Sequence, residues 1–256
     1  MSNIRQNTMN PDFAISPLVG QPEQWGADVL EKHTHARHQL IFSSRGVIHI
    51  KTHVGEWVLP PSRALWIDAG TEHYVETKKP ASLFVLYISP AFFSMDKPEH
   101  CCVVEVSNLV RELIMACAKM GWTYDENSHS HRLAEVLVGS LSGLQLASLE
   151  LIKPKDPRAI HLIKLLEHDP GSRRSLHDLA REAGASGRTI ERLFAQETNL
   201  PFGAWRQRHR MLFALERLAY GQSVMNVALE SGYESASSFI AAFKAMFGTT
   251  PSKYFS

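Results

Sequence analysis

SLHDLAREAGASGRTIERLF, residues 175–194, and SVMNVALESGYESASSFIAAF, residues 223–243, are two copies of one pattern. Ala180 and Gly184 lie 48 residues before Ala228 and Gly232, whereas Phe194 lies 49 before Phe243, so the second copy carries one extra residue in its turn. The small alanine lets two helices cross closely, and glycine turns the chain with φ > 0, where a Cβ clashes. Ser186 is placed to cap the helix that follows, as Glu234 or Ser235 is in the second copy. Ile190, Leu193 and Phe194 repeat at helical spacing and face a core, which leaves Arg188, Thr189, Glu191 and Arg192 facing outward. One such hairpin is an ordinary packing element. Two in register point to a single body that offers two readers to the major groove of DNA.

The two readers are not equivalent. Arginine reads guanine bidentately and glutamate accepts from cytosine, so the first helix is equipped to discriminate bases. The second offers Ala236, Ser237, Ser238 and Ala241, all small, and is suited to positioning. Ser186 and Ser235 complete the expected DNA-facing set at the helix starts. Arg206 and Arg210, on the segment joining the copies, are expected at phosphates, which set affinity and salt dependence. A solvated surface is the alternative reading for any one of these arginines.

Around the repeat, Asp156-Pro157 opens a helix with a cap and a proline at its first position. Ser175 with Asp178 has the spacing of a capping box. Residues 157–256 hold 13 Lys/Arg and 9 Asp/Glu, against 14 and 17 in residues 1–156. A mildly basic half beside a mildly acidic one fits a nucleic-acid reader tethered to a sensor. Residues 1–24 read as a flexible arm or a partly ordered first strand. With neither a signal peptide nor a run of ~20 apolar residues, the expectation is a cytoplasmic, soluble chain with no membrane partner. Cys101, Cys102 and Cys117 read as ordinary small residues of a reducing compartment.

From 25 to 100 the pattern is short β-runs (38–43, 47–53, 56–59, 63–67, 73–77, 83–88) separated by Gly and Pro, which argues for an all-β barrel or sandwich. Helical stripes follow. Residues 105–120 carry Val106, Leu109, Val110, Leu113 and Cys117, and residues 131–152 carry Leu133, Val136, Leu137, Ser140, Leu141, Leu144 and Ser148. They pack on the barrel, form a dimer seam, or do both. Gly139 and Gly143 weaken the second stripe. Residues 153–157, with two prolines, read as a short semi-stiff hinge.

Residues 158–256 resemble the DNA-binding domain of AraC/XylS transcription regulators. The resemblance is carried by SLHDLAREAGAS, RTIERLF, FGAWRQRHRMLFALERLA and SGYESASSFIAAFKAMFGTTPSKYF. It implies a seven-helix body whose reader helices enter major-groove segments ~34 Å apart on one DNA face. The front half resembles the cupin found in one subset of that family, in QLIFSSRGV, GEWVLPPSRALWIDAGTEH and VLYISP. His33-x-His35-x3-Gln39-x6-Gly46 and Gly70-x2-His73 resemble the two-part cupin signature, whose ligands converge inside a jelly-roll barrel. Gln39 stands where cupins place glutamate, Asp68 where they place proline and Thr77 where they place asparagine.

The expected architecture is therefore an α+β two-domain chain: an N-terminal all-β cupin-like barrel with a helical extension (101–152), and a C-terminal all-α double helix-turn-helix domain. His33 and His35 project to one face of a strand, and His38 to the other. Three readings compete for His33, His35 and His73: ligands of a divalent metal (Ni, Zn or Fe), a polar lining of an organic-effector pocket, or plain structure. Gln39 is expected to share that pocket, and Trp57 and Trp66 either line its mouth or, as the commoner alternative for such residues, sit in the core. A metal needs neutral imidazoles, so its affinity is expected to collapse below the ordinary imidazole pKa of about 6.5. The resemblance implies a regulator rather than an enzyme. It also implies double-stranded promoter DNA, a homodimer, RNA polymerase and a small-molecule or metal effector as partners, with control of a neighbouring transporter gene. A cupin enzyme and a constitutive DNA binder with a dimerising barrel are the competing classes.

Overall fold

A computed structural model of the chain describes residues 3–4, 9–53, 55–61, 63–93, 101–141 and 150–255. The chain divides into two compact units, residues 1–53 with 57–150 and residues 151–256 with 54–56.

The first unit is built of β1 (Asn3–Ile4), β2 (Leu18–Trp25), β3 (Asp28–His33), β4 (His38–Arg45), β5 (Ile48–Thr52), β6 (Glu56–Leu59), β7 (Arg63–Ile67), β8 (His73–Glu76), β9 (Ala81–Ile88) and β10 (Cys102–Glu105), followed by α1 (Asn108–Cys117) and α2 (His129–Leu141). One sheet runs β1-β3-β8-β5-β6 through the strands of this unit, and the other runs β10-β7-β4-β9-β2. Among the described residues, β1 pairs with β3 in parallel, and the β2–β9, β3–β8, β4–β7, β4–β9, β5–β8 and β7–β10 pairings are antiparallel. Strand β2 departs from the expected arm: Leu18–Trp25 pairs along its whole length with β9. Gly20 and Pro22 are tolerated in β2 because it lies at the edge of its sheet, beside β9.

Residues 38–43 of β4 are all buried, because both faces of this strand are covered. Leu40 and Phe42 join Trp66, Leu86 and Ile88 in one core with Leu113, Ile114 and Cys117 of α1 and Ala134, Leu137 and Leu141 of α2. The helices thus pack on the outer face of the second sheet. Burying each of these large aliphatic side chains contributes about 1.5–3 kcal/mol. The buried stripe differs from the expected one. Leu109 and Val136 are 64% and 53% exposed, while Ile114, Ala134 and Val138 are buried in their place. Ser107 caps α1, its Oγ accepting from Val110 N, and this sets the helix phase. Gly143, Leu144 and Ser148 lie outside the described residues.

The second unit holds seven helices: α3 (Pro157–His168), α4 (Leu176–Glu182), α5 (Gly187–Thr198), α6 (Phe202–Ala219), α7 (Val224–Glu230), α8 (Ala236–Phe247) and α9 (Pro251–Tyr254). Asp156, Ser175, Ser186, Ser223 and Ser235 each accept a backbone N–H at a helix start. The repeat extends to single hydrogen bonds. Ala185 N donates to Ala180 O and Tyr233 N to Ala228 O, both at 2.9 Å. Gly184 and Gly232 hold φ of 69° and 81°. Phe194 packs edge to face on Phe202 and Trp205 under the first copy; under the second, Phe243 packs edge to face on Tyr254 and tilted against Phe239.

These two glycines should respond differently to a Cβ. At Gly184 the added atom meets nothing within 4 Å, so Gly184→Ala costs the left-handed penalty alone, about 1–2 kcal/mol. At Gly232 it would lie 2.4 Å from Gly171 O, so Gly232→Ala should cost about 3 kcal/mol or more by urea denaturation. Equal losses would remove the close approach.

His209 supplies a pH test. It stacks on Trp205 at 5.4 Å, and burial lowers its pKa to about 4. The unfolded chain protonates near 6.5, so this group's contribution is intact above that pH. It is lost as pH falls toward 4, at up to about 1.4 kcal/mol per unit. Denaturation midpoints at pH 7 and pH 5 should therefore differ more in the wild type than in His209→Gln; a parallel loss in both would show that His209 does not contribute.

Candidate nucleic-acid interface and metal centre

On the first reader helix, α5, Arg188, Glu191 and Arg192 are exposed as expected. Their partners separate their roles. Among the described residues Arg188 has no hydrogen-bond or ion-pair partner, and Arg192 makes a long contact, 3.4 Å to Gln196 Oε1. Glu191 is engaged: its Oε2 accepts from Phe202 N at 3.1 Å. Helix α6 begins after Pro201, which has no side-chain acceptor, so Glu191 caps it instead. That absent cap was visible in the sequence and is the signal that base-reading logic passed over.

Ser186 Oγ caps Thr189 N at 3.1 Å and lies 2.8 Å from Thr189 Oγ1. Ser235 Oγ caps Ser238 N and donates to Ser238 Oγ, which leaves Ser237 as the uncommitted hydroxyl on the exposed start of α8. Arg206 and Arg210 depart from the expected phosphate role. Both donate to Ser172 O, and Arg206 donates also to Arg174 O at 2.7 Å. Burial lowers the pKa of both. They join α6 to the α3–α4 connection. Arg173 reaches Tyr233 O at 3.3 Å, and Arg174 pairs with Glu182.

In the first unit three histidines converge. His33 ends β3, His73 opens β8, and the two are directly paired across the sheet. His35 follows in the β3–β4 connection. The ring centroids of His33 lie 4.2 Å from His73 and 6.1 Å from His35, and His35 lies 5.2 Å from His73. One ligand atom from each lies within 4.8 Å of the other two.

Each ring is held the same way. Nδ1 of His33, His35 and His73 meets the carbonyl oxygens of Glu31, Arg37 and Thr71 at 2.9, 2.6 and 2.9 Å. A carbonyl only accepts, so Nδ1 carries the proton and Nε2 presents a lone pair. All three Nε2 atoms are buried and without a partner. Burial pushes the pKa of His35 down and that of His73 to about 3, with the neighbouring His33 adding in the same direction. His73 therefore stays neutral well below the ordinary imidazole range, and burial favours the neutral ring of His35 in the same direction.

Gln39 lies opposite Ile67 and Tyr87 on β4, with its buried side chain in polar interaction with His35. Trp66 does not join the group. It pairs with Leu40 on the helix-facing side and stacks with His38 at 4.9 Å. The alternation that turns Gln39 inward turns Trp66 and His38 outward. His38 Nδ1 accepts from Ala69 N and faces Asp68 at 3.3 Å. Trp57 is buried with Nε1 unpartnered. A cleft of about 340 Å³, lined by Asn10, Pro11 and residues 30–35, shares His33 and His35 with the centre.

Known proteins carry both halves of this arrangement. Residues 23–141 match the AraC-like ligand binding domain family, and residues 179–256 match a helix-turn-helix domain family. The HTH-type transcriptional regulator NimR of Escherichia coli K12 is 32% identical over 256 residues, covering 99% of this chain and 93% of NimR. RipA of Corynebacterium glutamicum, also an HTH-type transcriptional regulator, is 34% identical over 101 residues, covering 40% of this chain and 30% of RipA. Among solved structures, fatty-acid-bound ToxT from Vibrio cholerae aligns with TM-score 0.40 at 12% identity, over 94% of this chain and 96% of ToxT. The curated relatives are regulators of transcription, not enzymes, and the front half is a ligand-binding domain of a known kind. With two barrel-forming sheets before a doubled helix-turn-helix, the chain belongs to the AraC/XylS family of transcriptional regulators.

Proposed function

We propose that this regulator binds promoter DNA sequence-specifically and holds a divalent transition metal, Ni, Zn or Fe, at His33, His35 and His73, through which its effector modulates promoter binding. One observation carries the metal: three buried Nε2 lone pairs, each fixed by an Nδ1–carbonyl bond, converge with nothing to satisfy them. Leaving a buried polar atom unsatisfied costs about 1–3 kcal/mol, and three together call for an occupant. Imidazole donors suit these metals. An organic effector that donates hydrogen bonds to the same atoms is the second reading, favoured by the adjoining cleft. A ligand shifts the regulator only by binding one of its states better than another.

The DNA-binding reading rests on Arg188, Arg192 and Ser237, the exposed residues of α5 and α8 least engaged inside the fold. A homodimer is part of the proposal, since Leu109 and Val136 offer exposed apolar surface on α1 and α2. RNA polymerase contact and control of a neighbouring transporter gene rest on family resemblance alone. Among the described residues no helix is long and apolar enough to cross a membrane, which fits a cytoplasmic regulator.

Elemental analysis of protein purified from metal-supplemented medium should find about one equivalent of metal, and His33→Ala should lose most of it. Equal metal content in the two would end the metal reading. In mobility shifts with the chain's own upstream promoter, Arg188→Ala should weaken binding by about 1–3 kcal/mol at an unchanged melting temperature. Arg192→Ala should relax sequence preference more than Ser237→Ala does. Arg210→Ala and Glu191→Ala should instead lower the melting temperature, since each removes an internal bond. Loss of DNA affinity in Arg210→Ala at full stability would return that residue to the interface.

A further inference from the structure

We propose that the metal at His33, His35 and His73 keeps an open coordination position, and that the effector is a small carboxylate that fills it. This rests on the metal reading above and adds the chemical class of the ligand.

The argument is one of charge. An imidazole that ligates a metal through Nε2 is a neutral donor, and Gln39, the polar side chain beside the three histidines, carries no charge either. A divalent ion bound there keeps its full double positive charge in a buried setting. Uncompensated buried charge is strongly disfavoured, so the site favours an anion as its remaining ligand.

The charged neighbours do not supply one. Asp12 is within electrostatic reach of His35, yet it faces Arg37 as well, and its Oδ1 accepts from Ala36 N at 2.8 Å. Arg37 is itself buried and donates to the carbonyls of Ser16 and Pro17. The carboxylate and the guanidinium thus offset each other. Lys32 and Glu72 form an exposed pair at 3.2 Å.

Geometry supplies the room. His33 and His73 come from neighbouring strands and His35 from the connection that follows β3, so three protein donors converge while tetrahedral coordination asks for a fourth. The cleft that shares His33 and His35 measures about 340 Å³, within the range of small-molecule pockets. Its wall carries the hydroxyl of Thr34 as a hydrogen-bond donor for an anionic guest, beside Glu31 and the Glu72-paired Lys32.

The test uses the full chain loaded with cobalt(II), whose visible bands report coordination. Acetate is titrated against perchlorate at matched ionic strength, with azide as a second anion. The expected result is a saturable spectral change with acetate at one site. Gln39→Glu brings its own carboxylate, so it should hold cobalt more tightly and bind acetate about tenfold more weakly or worse. If the chain takes up no cobalt, the metal reading falls and this one with it. If one equivalent binds but neither anion moves the spectrum, the open position is refuted while the metal reading stands. Identical acetate titrations of the wild type and a folded Gln39→Glu would overturn the charge argument. Acetate that binds the cobalt yet leaves promoter affinity unchanged in mobility shifts would remove its class from the role of effector.

Discussion

The Ser172 carbonyl oxygen accepts from the guanidinium groups of both Arg206 and Arg210, and on this point the geometry of the second unit depends. Helix α6, which carries both arginines, is a rod of 18 residues, or about 27 Å. A rod alone sets the distance between its ends but not the rotation of what hangs on them. The two guanidiniums bind α6 to the α3–α4 connection, and Gly171 in that connection lies against the turn of the second copy. A Cβ on Gly171 would sit 2.3 Å from Glu230 O. The first copy, the long helix and the second copy therefore meet at one place. Charge-assisted bonds to a half-buried carbonyl contribute about 1.5–3 kcal/mol each, enough to hold the two turns in one arrangement. Two readers on a duplex need that rigidity, because their spacing must match the groove repeat before any base is read.

The segment leading into this unit is tied down as well. Trp205 Nε1 donates to Ile152 O at 2.7 Å, and Lys153 bonds Glu167. The backbone N–H groups of Lys155 and Asp156 both donate to Glu197 Oε2. Prolines 154 and 157 had marked this stretch as a semi-stiff hinge. Proline removes donors and fixes φ, but it says nothing of what the remaining donors meet. Here they meet a carboxylate near the end of α5. Displacing the strap breaks bonds to the first reader helix and to α6 together.

Much of the fold was legible because it obeys local rules. The capping serines, the two left-handed glycines and the period of Ile190, Leu193 and Phe194 each act within a few residues, and each is where the pattern puts it. The strands 56–59 and 63–67 were equally plain, flanked by prolines and a glycine. What was not legible is decided by distant partners. Leu18–Trp25 looks like a polar arm until β9 supplies its hydrogen bonds. Arg206 and Arg210 look like phosphate ligands until Ser172, more than thirty residues earlier, takes their donors. Trp66 looks like a pocket residue until the helices α1 and α2 cover the other face of its sheet.

The histidine centre shows the same division within one site. Alternation along a strand would put His33 and His35 on one side, but β3 ends at His33, and His35 reaches the site from the connection that follows, while His73 pairs with His33 across the sheet. No pattern in the sequence says which nitrogen each ring presents. That is fixed by three backbone carbonyls, each two residues from its histidine, and the β-strand ends and loops set their directions. The tautomer is thus a property of the fold, though the residues that bear it are adjacent in sequence. Because the backbone takes all three Nδ1 protons, no carboxylate is needed to orient the rings. A site whose rings are oriented by neutral groups carries no built-in negative charge.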